Sequence, residues 1–174
     1  LGSAVMAVVF SAVAIAMPLN MMNTAKSVPP IHDISTDLVN PPEFIAIAPL
    51  RADASNPVEY AGEETAVQQR KAYPELATLN FAQSKTDLVK ATEQAVKNLG
   101  WELVNTDMSK GIVEATETTT WFGFKDDVVV RINDEGSERF VDIRSKSRVG
   151  RSDLGKNAER IHTLIDELNA VLTK

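Results

Sequence analysis

His32, Asp33, Ser35 and Asp37 fall within six residues, a tight grouping of chemically capable side chains. A histidine beside a hydroxyl and two carboxylates could supply a general base, or oxygen ligands for a hard cation. A Ser–His–Asp device depends on geometry, however, and neighbours on one extended segment point to alternate faces. The same residues serve as Asx- and Ser-turns that satisfy backbone groups in an irregular segment, and this reading is favoured. They remain weak catalytic candidates. His162, the other histidine, sits beside an apolar helical stripe and reads as a boundary residue. With two distant histidines and no cysteine, neither a metal site nor a cofactor is expected.

Arg144, Arg148, Arg151 and Arg160 approach the start of the last helix, with Asn157 on its first turn. A helix N-terminus favours anions, and guanidinium forks would add to it. This makes the group a candidate for anion or partner binding. The competing reading pairs these arginines with internal acids such as Asp33, Asp37, Asp126 and Asp127. An acid surplus and the lack of a phosphate-loop pattern favour internal pairing. Trp121, Phe122 and Phe124 cluster around Gly123 in a hairpin connection. Exposed, they would form an interface for a partner or a lipid surface; buried, they would plug the end of the sheet.

The elements that position these groups are legible from residue 84 onward. Ser84 to Asp87 resembles a capping box, and Leu88, Ala91, Ala95, Val96 and Leu99 form one helical face ended by Gly100. Strand-like runs follow at 101–106, 111–121, 125–132 and 139–146, with turns at 107–110 and 133–137. Val113, Ala115, Val128, Val130, Ile132, Val141 and Ile143 are the inward positions. A helix over 153–172 carries Ile161, Leu164, Ile165, Leu168, Val171 and Leu172 as its apolar stripe, capped by Ser152 or Asp153.

The expected fold is an α+β two-layer sandwich. A four-stranded antiparallel sheet carries two helices, order αββββα, on one face. An apolar helix and an extended proline-rich arm precede it. Seven of the eight prolines lie in 26–82, so 20–82 reads as arm, with a short helix near Glu63–Tyr73. Residues 83–174 form the α+β core, and 20–174 one soluble domain. The arm, a ligand or water would cover the sheet's other face.

The first 25 residues carry no charged side chain; the 18 basic and 24 acidic residues all follow. Residues 1–17 would make a helix about 26 Å long, ended by Pro18. Residues 1–19 therefore read as a transmembrane anchor, or as the last helix of a membrane segment. A signal peptide cleaved near Ala14–Ala16 is disfavoured because no basic n-region precedes it. Lys26 is the one basic residue between Met17 and Arg51, so the soluble part is expected outside the cytoplasm. That is the periplasm, from the inner membrane, in a Gram-negative cell. A net charge of −6 and a pI near 5.0 exclude a nucleic-acid footprint and oppose adhesion to anionic lipid heads. Without cysteine there is no disulfide and no thiolate catalysis.

Three blocks carry a resemblance. They are Pro29–Asp37, Glu114–Thr116 with Phe122–Asp127, and Asp142–Ser145 with Ser147–Asn157. Over residues 27–172 the chain resembles the bacterial family catalogued as domain of unknown function 1499 (DUF1499). The resemblance implies apolar helices ahead of the domain. It implies no agreed activity, so no catalytic residue is carried over. The leading expectation is a membrane-anchored domain that binds or scaffolds as an accessory subunit of a membrane complex. A lipid bilayer would hold residues 1–17, and a membrane protein would be the partner. The alternatives are an envelope hydrolase using His32 and nearby carboxylates, and a carrier of a small ligand or lipid.

Overall fold

A computed structural model of the chain describes residues 2–120 and 122–173. Helix α1 spans Gly2–Ser27 and continues through Pro18, where the sequence predicts a stop. A mid-helix proline removes one backbone hydrogen bond. Leu19, Met21, Met22, Ala25 and Lys26 beyond it are strong helix formers, and the helix resumes. Val5, Met6, Val8, Phe10, Ile15 and Met22 are exposed on α1. Among the described residues, no helix is long and apolar enough to cross a membrane.

The domain that follows is α+β, with an antiparallel sheet of six strands instead of the four expected. These are β1 (Asp33–Ser35), β2 (Leu79–Phe81), β3 (Glu102–Asp107), β4 (Ile112–Thr118), β5 (Lys125–Glu135) and β6 (Glu138–Ser147). The spatial order is β1-β6-β5-β4-β3, and β2 also pairs with β6. The outer edge of β6 takes two partners end to end. β1 lies along Arg144–Lys146 and β2 along Arg139–Val141. Each added strand has three residues, too few to leave an alternating signature. Both come from the segment read as irregular arm, as does α2 (Glu63–Ala72). The αββββα order is therefore one stretch of a longer succession.

Helices α3 (Lys85–Asn98) and α4 (Lys156–Leu172) share their core with one face of the sheet. Leu88 and Val96 of α3 and Ile161, Leu164 and Leu168 of α4 are buried against Val113, Val128, Val130, Ile132, Val141 and Ile143. Ser84 caps α3 by accepting from the Asp87 N–H, while its own hydroxyl donates to the Asp87 carboxylate. The cap of α4 differs from expectation. Gly155 is the N-cap residue, and the Asp153 carboxylate accepts from the N–H groups of Gly155 and Asn157. Leu154 between them adopts φ 55°, the left-handed region that disfavours a leucine.

The opposite face of the sheet is covered by the arm. Phe44 and Ile47 pack there on Ile112 and Val129, and a 3₁₀ turn follows at Ala48–Arg51. The two layers expected have become three.

One glycine fixes the β3–β4 turn. Gly111 has φ 70°, and a Cβ there would collide with the carbonyl oxygen of Ile132, a backbone atom that cannot swing aside. Gly111→Ala is expected to destabilise the domain by about 3 kcal/mol or more, read as a lowered denaturation midpoint in mild detergent. A midpoint within experimental error of wild type would show that the turn tolerates a side chain.

Candidate functional site

Strand alternation sorts the polar residues of the sheet onto the arm face. β6 contributes Asp142, Arg144 and Lys146, β5 contributes Asp127 and Arg131, β4 contributes Glu114 and Thr116, and β1 contributes Asp33 and Ser35. Nearly all are buried, Asp33, Glu114 and Asp127 completely. Charges without water need partners, and each of these has at least one, although Arg51 Nε and Arg131 Nε are buried without an acceptor.

Asp33 is held by two cations. The Arg144 guanidinium reaches it through Nε and Nη2 at 2.9 and 2.8 Å, a bidentate fork. Lys146 Nζ donates to the same carboxylate at 2.9 Å and to the Glu59 carbonyl at 2.6 Å. Arg144 also donates to the carbonyls of Pro42 and Val58. Burial pulls the Lys146 ammonium below its ordinary pKa against the pull of Asp33. Asp127 forms a second node. Arg51 reaches it at 2.6 Å, Arg148 at 2.8 and 2.9 Å, and Thr116 Oγ1 at 2.7 Å. Burial likewise lowers the Arg51 pKa.

Glu114 is answered by backbone. Its carboxylate accepts from the N–H groups of Ile45, Ala46 and Ile47 at 2.7, 2.8 and 3.2 Å, and from Asn105 Nδ2 at 3.0 Å. Successive amides of this kind form an anion nest, filled here by the chain's own carboxylate. Arg131 bridges Asp37 and Asp142 at 2.9 and 2.8 Å.

The structure does not assemble the His32 group into a catalytic set. Asp33 is taken by Arg144 and Lys146. Ser35 Oγ donates to the Asp37 carbonyl, and Asp37 Oδ1 accepts from the N–H groups of Val39 and Asn40 in an Asx turn. The His32 imidazole makes no hydrogen bond or ion pair to a described residue. Its carbonyl accepts from Ser147 N–H and Asn157 Nδ2. His162 is exposed beside Glu75 at 3.1 Å.

Of the arginines, Arg144 and Arg148 belong to the arm-face network. Arg160 lies on the helix face, paired to Asp126 and Glu117, and shares Asn157 and Ser145. Arg151 is exposed and makes no ion pair to a described residue. The sequence reading missed Arg51, Lys146, Glu114, Tyr60 and Gln69. Gln69 is fully buried, and its amide bonds both the N–H and the carbonyl of Ser35 at 3.0 and 2.6 Å, sealing the free edge of β1.

Among the clefts that border these clusters, one of about 480 Å³ lies against Glu117, Asp126 and Arg160, and two more lie at the arm face and the β4–β5 tip. One of about 380 Å³ opens above Arg144 between Phe44 and Tyr60, whose rings the guanidinium faces at 5.0 and 5.5 Å. Glu43 and Glu59 on its rim oppose an incoming anion. The other, about 550 Å³, is lined by Phe122, Phe124, Val149 and Leu154 beside the head of α4. Phe122 and Phe124 are 73% and 51% exposed and stack at 5.5 Å. Trp121 lies outside the described residues.

The ion network predicts stability effects. Asp33→Ala would strand two buried cations and is expected to cost about 3–5 kcal/mol in chemical unfolding. An effect below about 1 kcal/mol would mean that water reaches Arg144 and Lys146. Tyr60 gives a pH-dependent test. Burial, then the charge of Asp33, pushes its phenol from 10.0 up to about 12. The stability that the neutral phenol contributes is fully present below pH 10 and lost as pH rises through about 12. Absorbance titration of the two tyrosines should show a late component that Tyr60→Phe removes; its survival in that variant would assign it to Tyr73.

A search of the curated proteins finds no match. The family model described as protein of unknown function (DUF1499) matches residues 33–168, from the start of β1 into α4, and the chain belongs to that family.

Proposed function

We infer that this protein is a membrane-tethered binding or scaffolding domain outside the cytoplasm, an accessory subunit of a membrane complex. One observation carries the reading. The charged groups best suited to chemistry, Asp33, Asp37, Asp127, Arg144, Arg148 and Arg160, are engaged with partners inside the fold. Exposed apolar side chains stand beside them: Val5, Val8, Phe10 and Ile15 on α1, and Phe122 and Phe124 on the domain. Apolar surface of that extent is covered by lipid or protein.

The uncharged run of residues 1–25 supports tethering, and the scarcity of Lys and Arg after it supports the outward orientation. A hydrolase would need His32 in a cleft beside a free nucleophile or carboxylate. His32 lines neither the cleft above Arg144 nor the one beside Phe122. A carrier would need a closed apolar cavity, and the clefts above Arg144 and beside Phe122 are only partly enclosed.

Extraction of membranes with alkaline carbonate should leave the full chain in the pellet, while a chain starting at Lys26 should move to the supernatant. Release of the full chain would end the tether. Co-purification in mild detergent should then return a reproducible membrane-protein partner. His32→Ala should leave any cellular phenotype intact; its loss, with folding and membrane recovery normal, would restore the enzyme.

A further inference from the structure

The stacked pair Phe122–Phe124 is exposed but not loose. Thr119 and Phe124 close the loop with two hydrogen bonds: Thr119 N–H donates to the Phe124 carbonyl at 2.8 Å, and Phe124 N–H to Thr119 Oγ1 at 2.9 Å. Gly123 N–H returns to the Thr119 carbonyl, which its φ of 64° permits. Two large apolar rings are thus held toward solvent at the tip of the β4–β5 hairpin. Val149, itself 42% exposed, and Leu154 continue the apolar surface across the cleft to the head of α4.

The tether reaches the domain at this same end. Val28, the first residue after α1, has a side-chain methyl 3.4 Å from where a Cβ on Gly155 would stand. The Ile31 carbonyl accepts from the Asp153 N–H. The chain leaving α1 therefore docks on the Asp153–Gly155 turn, whose Leu154 lines the cleft that Phe122 and Phe124 line. Around this rim Lys125, Arg151 and Lys156 are exposed, and Lys26 closes α1. Glu159 pairs with Lys156; Lys125 and Arg151 are left to face anionic headgroups, against the acidic balance of the whole chain.

We propose that the β4–β5 tip is a second membrane contact, in which Phe122 and Phe124 enter the lipid–water interface beside the point where the tether emerges. The occupant of the apolar cleft is the bilayer surface. Aromatic rings favour that interface, and the exposed cations complement its charge. The proposal rests on the tethering reading above. It orients the domain: the β5–β6 turn at Gly136–Ser137, roughly 35 Å away along β5, points into the aqueous phase.

The chain has no cysteine, so single labelling sites can be introduced cleanly. Thr120→Cys, Ser137→Cys and Val8→Cys, each in the full chain, would carry an environment-sensitive fluorophore. All three positions are exposed, and Thr120→Cys leaves both phenylalanines in place. Each protein is reconstituted into phosphatidylcholine–phosphatidylglycerol vesicles containing spin-labelled lipid. Quenching at position 120 should exceed that at 137 several-fold. Adding Phe122→Ser and Phe124→Ser should bring position 120 down to the level of 137 while position 8 stays quenched. Equal quenching at 120 and 137, with position 8 quenched, overturns the tip contact and spares the tether. Survival of the position 120 signal in the double serine variant also overturns it. An unquenched position 8 removes the tether and this inference with it.

Discussion

The pairing of Asp33 with Arg144 and Lys146 fixes how the rest of the domain is put together. A sheet face carrying Glu114, Asp127, Asp142, Arg144 and Lys146 would be unremarkable in water. Here it is sealed under the arm, where each charge costs several kcal/mol to desolvate. The arm must therefore supply the hydrogen bonds that water gave. It does so with its backbone. The carbonyls of Pro42, Val58 and Glu59 take protons from Arg144 and Lys146, and the amides of Ile45–Ile47 surround Glu114. Apolar packing under the arm is confined mainly to Phe44 and Ile47. The path of the arm is thus set by where charges need partners.

Buried ion pairs of this kind are weak evidence for stability, but they discriminate sharply between registers. A one-residue slip of β1 against β6 would turn Asp33 to the helix face and press Ile34 onto Arg144 and Lys146. Three residues of strand pairing could not hold register alone. The two-pronged Asp33 contact holds it, and Gln69 occupies the hydrogen bonds of Ser35 that a foreign strand could otherwise use. Proline in the arm fits the same scheme. It offers a carbonyl without adding an N–H that would need its own acceptor.

Periodicity explains which parts were readable in advance. Helices α3 and α4 and strands β4 to β6 are long enough to repeat their pattern, and their core apolar residues fall where that pattern puts them. β1 and β2 are too short to repeat anything. The Arg144–Asp33 contact spans 111 residues, so no local spacing could single it out among the available acids. A subtler signal was present. Glu114, Asp127, Arg131, Asp142, Arg144 and Lys146 sit at alternate positions on a single face of three consecutive strands. Such alternation ordinarily marks a solvated face. Its richness in Asp and Arg, the short acid and the forked base that pair bidentately, distinguishes it from the flexible Lys and Glu of an open surface. Glu114 and Lys146 could have been found by that reasoning. Arg51, Tyr60 and Gln69, in loop and helix, carry no comparable mark.

The domain buries a set of paired charges and leaves two apolar rings exposed, and the two facts are connected at one end of the sheet. Arg160 ties the start of β5 and the end of β4 to α4 through Asp126 and Glu117. Asn157 ties α4 to the carbonyl of His32, next to the residues that follow α1. At the head of α4 the Asp153 carboxylate accepts from the N–H groups of Gly155 and Asn157, while its own N–H donates to the Ile31 carbonyl. Hairpin, helix head and the segment leaving α1 are thus cross-linked by polar contacts that are largely out of water. A loop joined only by its own backbone would fold its phenylalanines back onto the nearest apolar surface. Here Arg160 joins both strands at the base of the loop to the helix head, beside the chain that leads to α1.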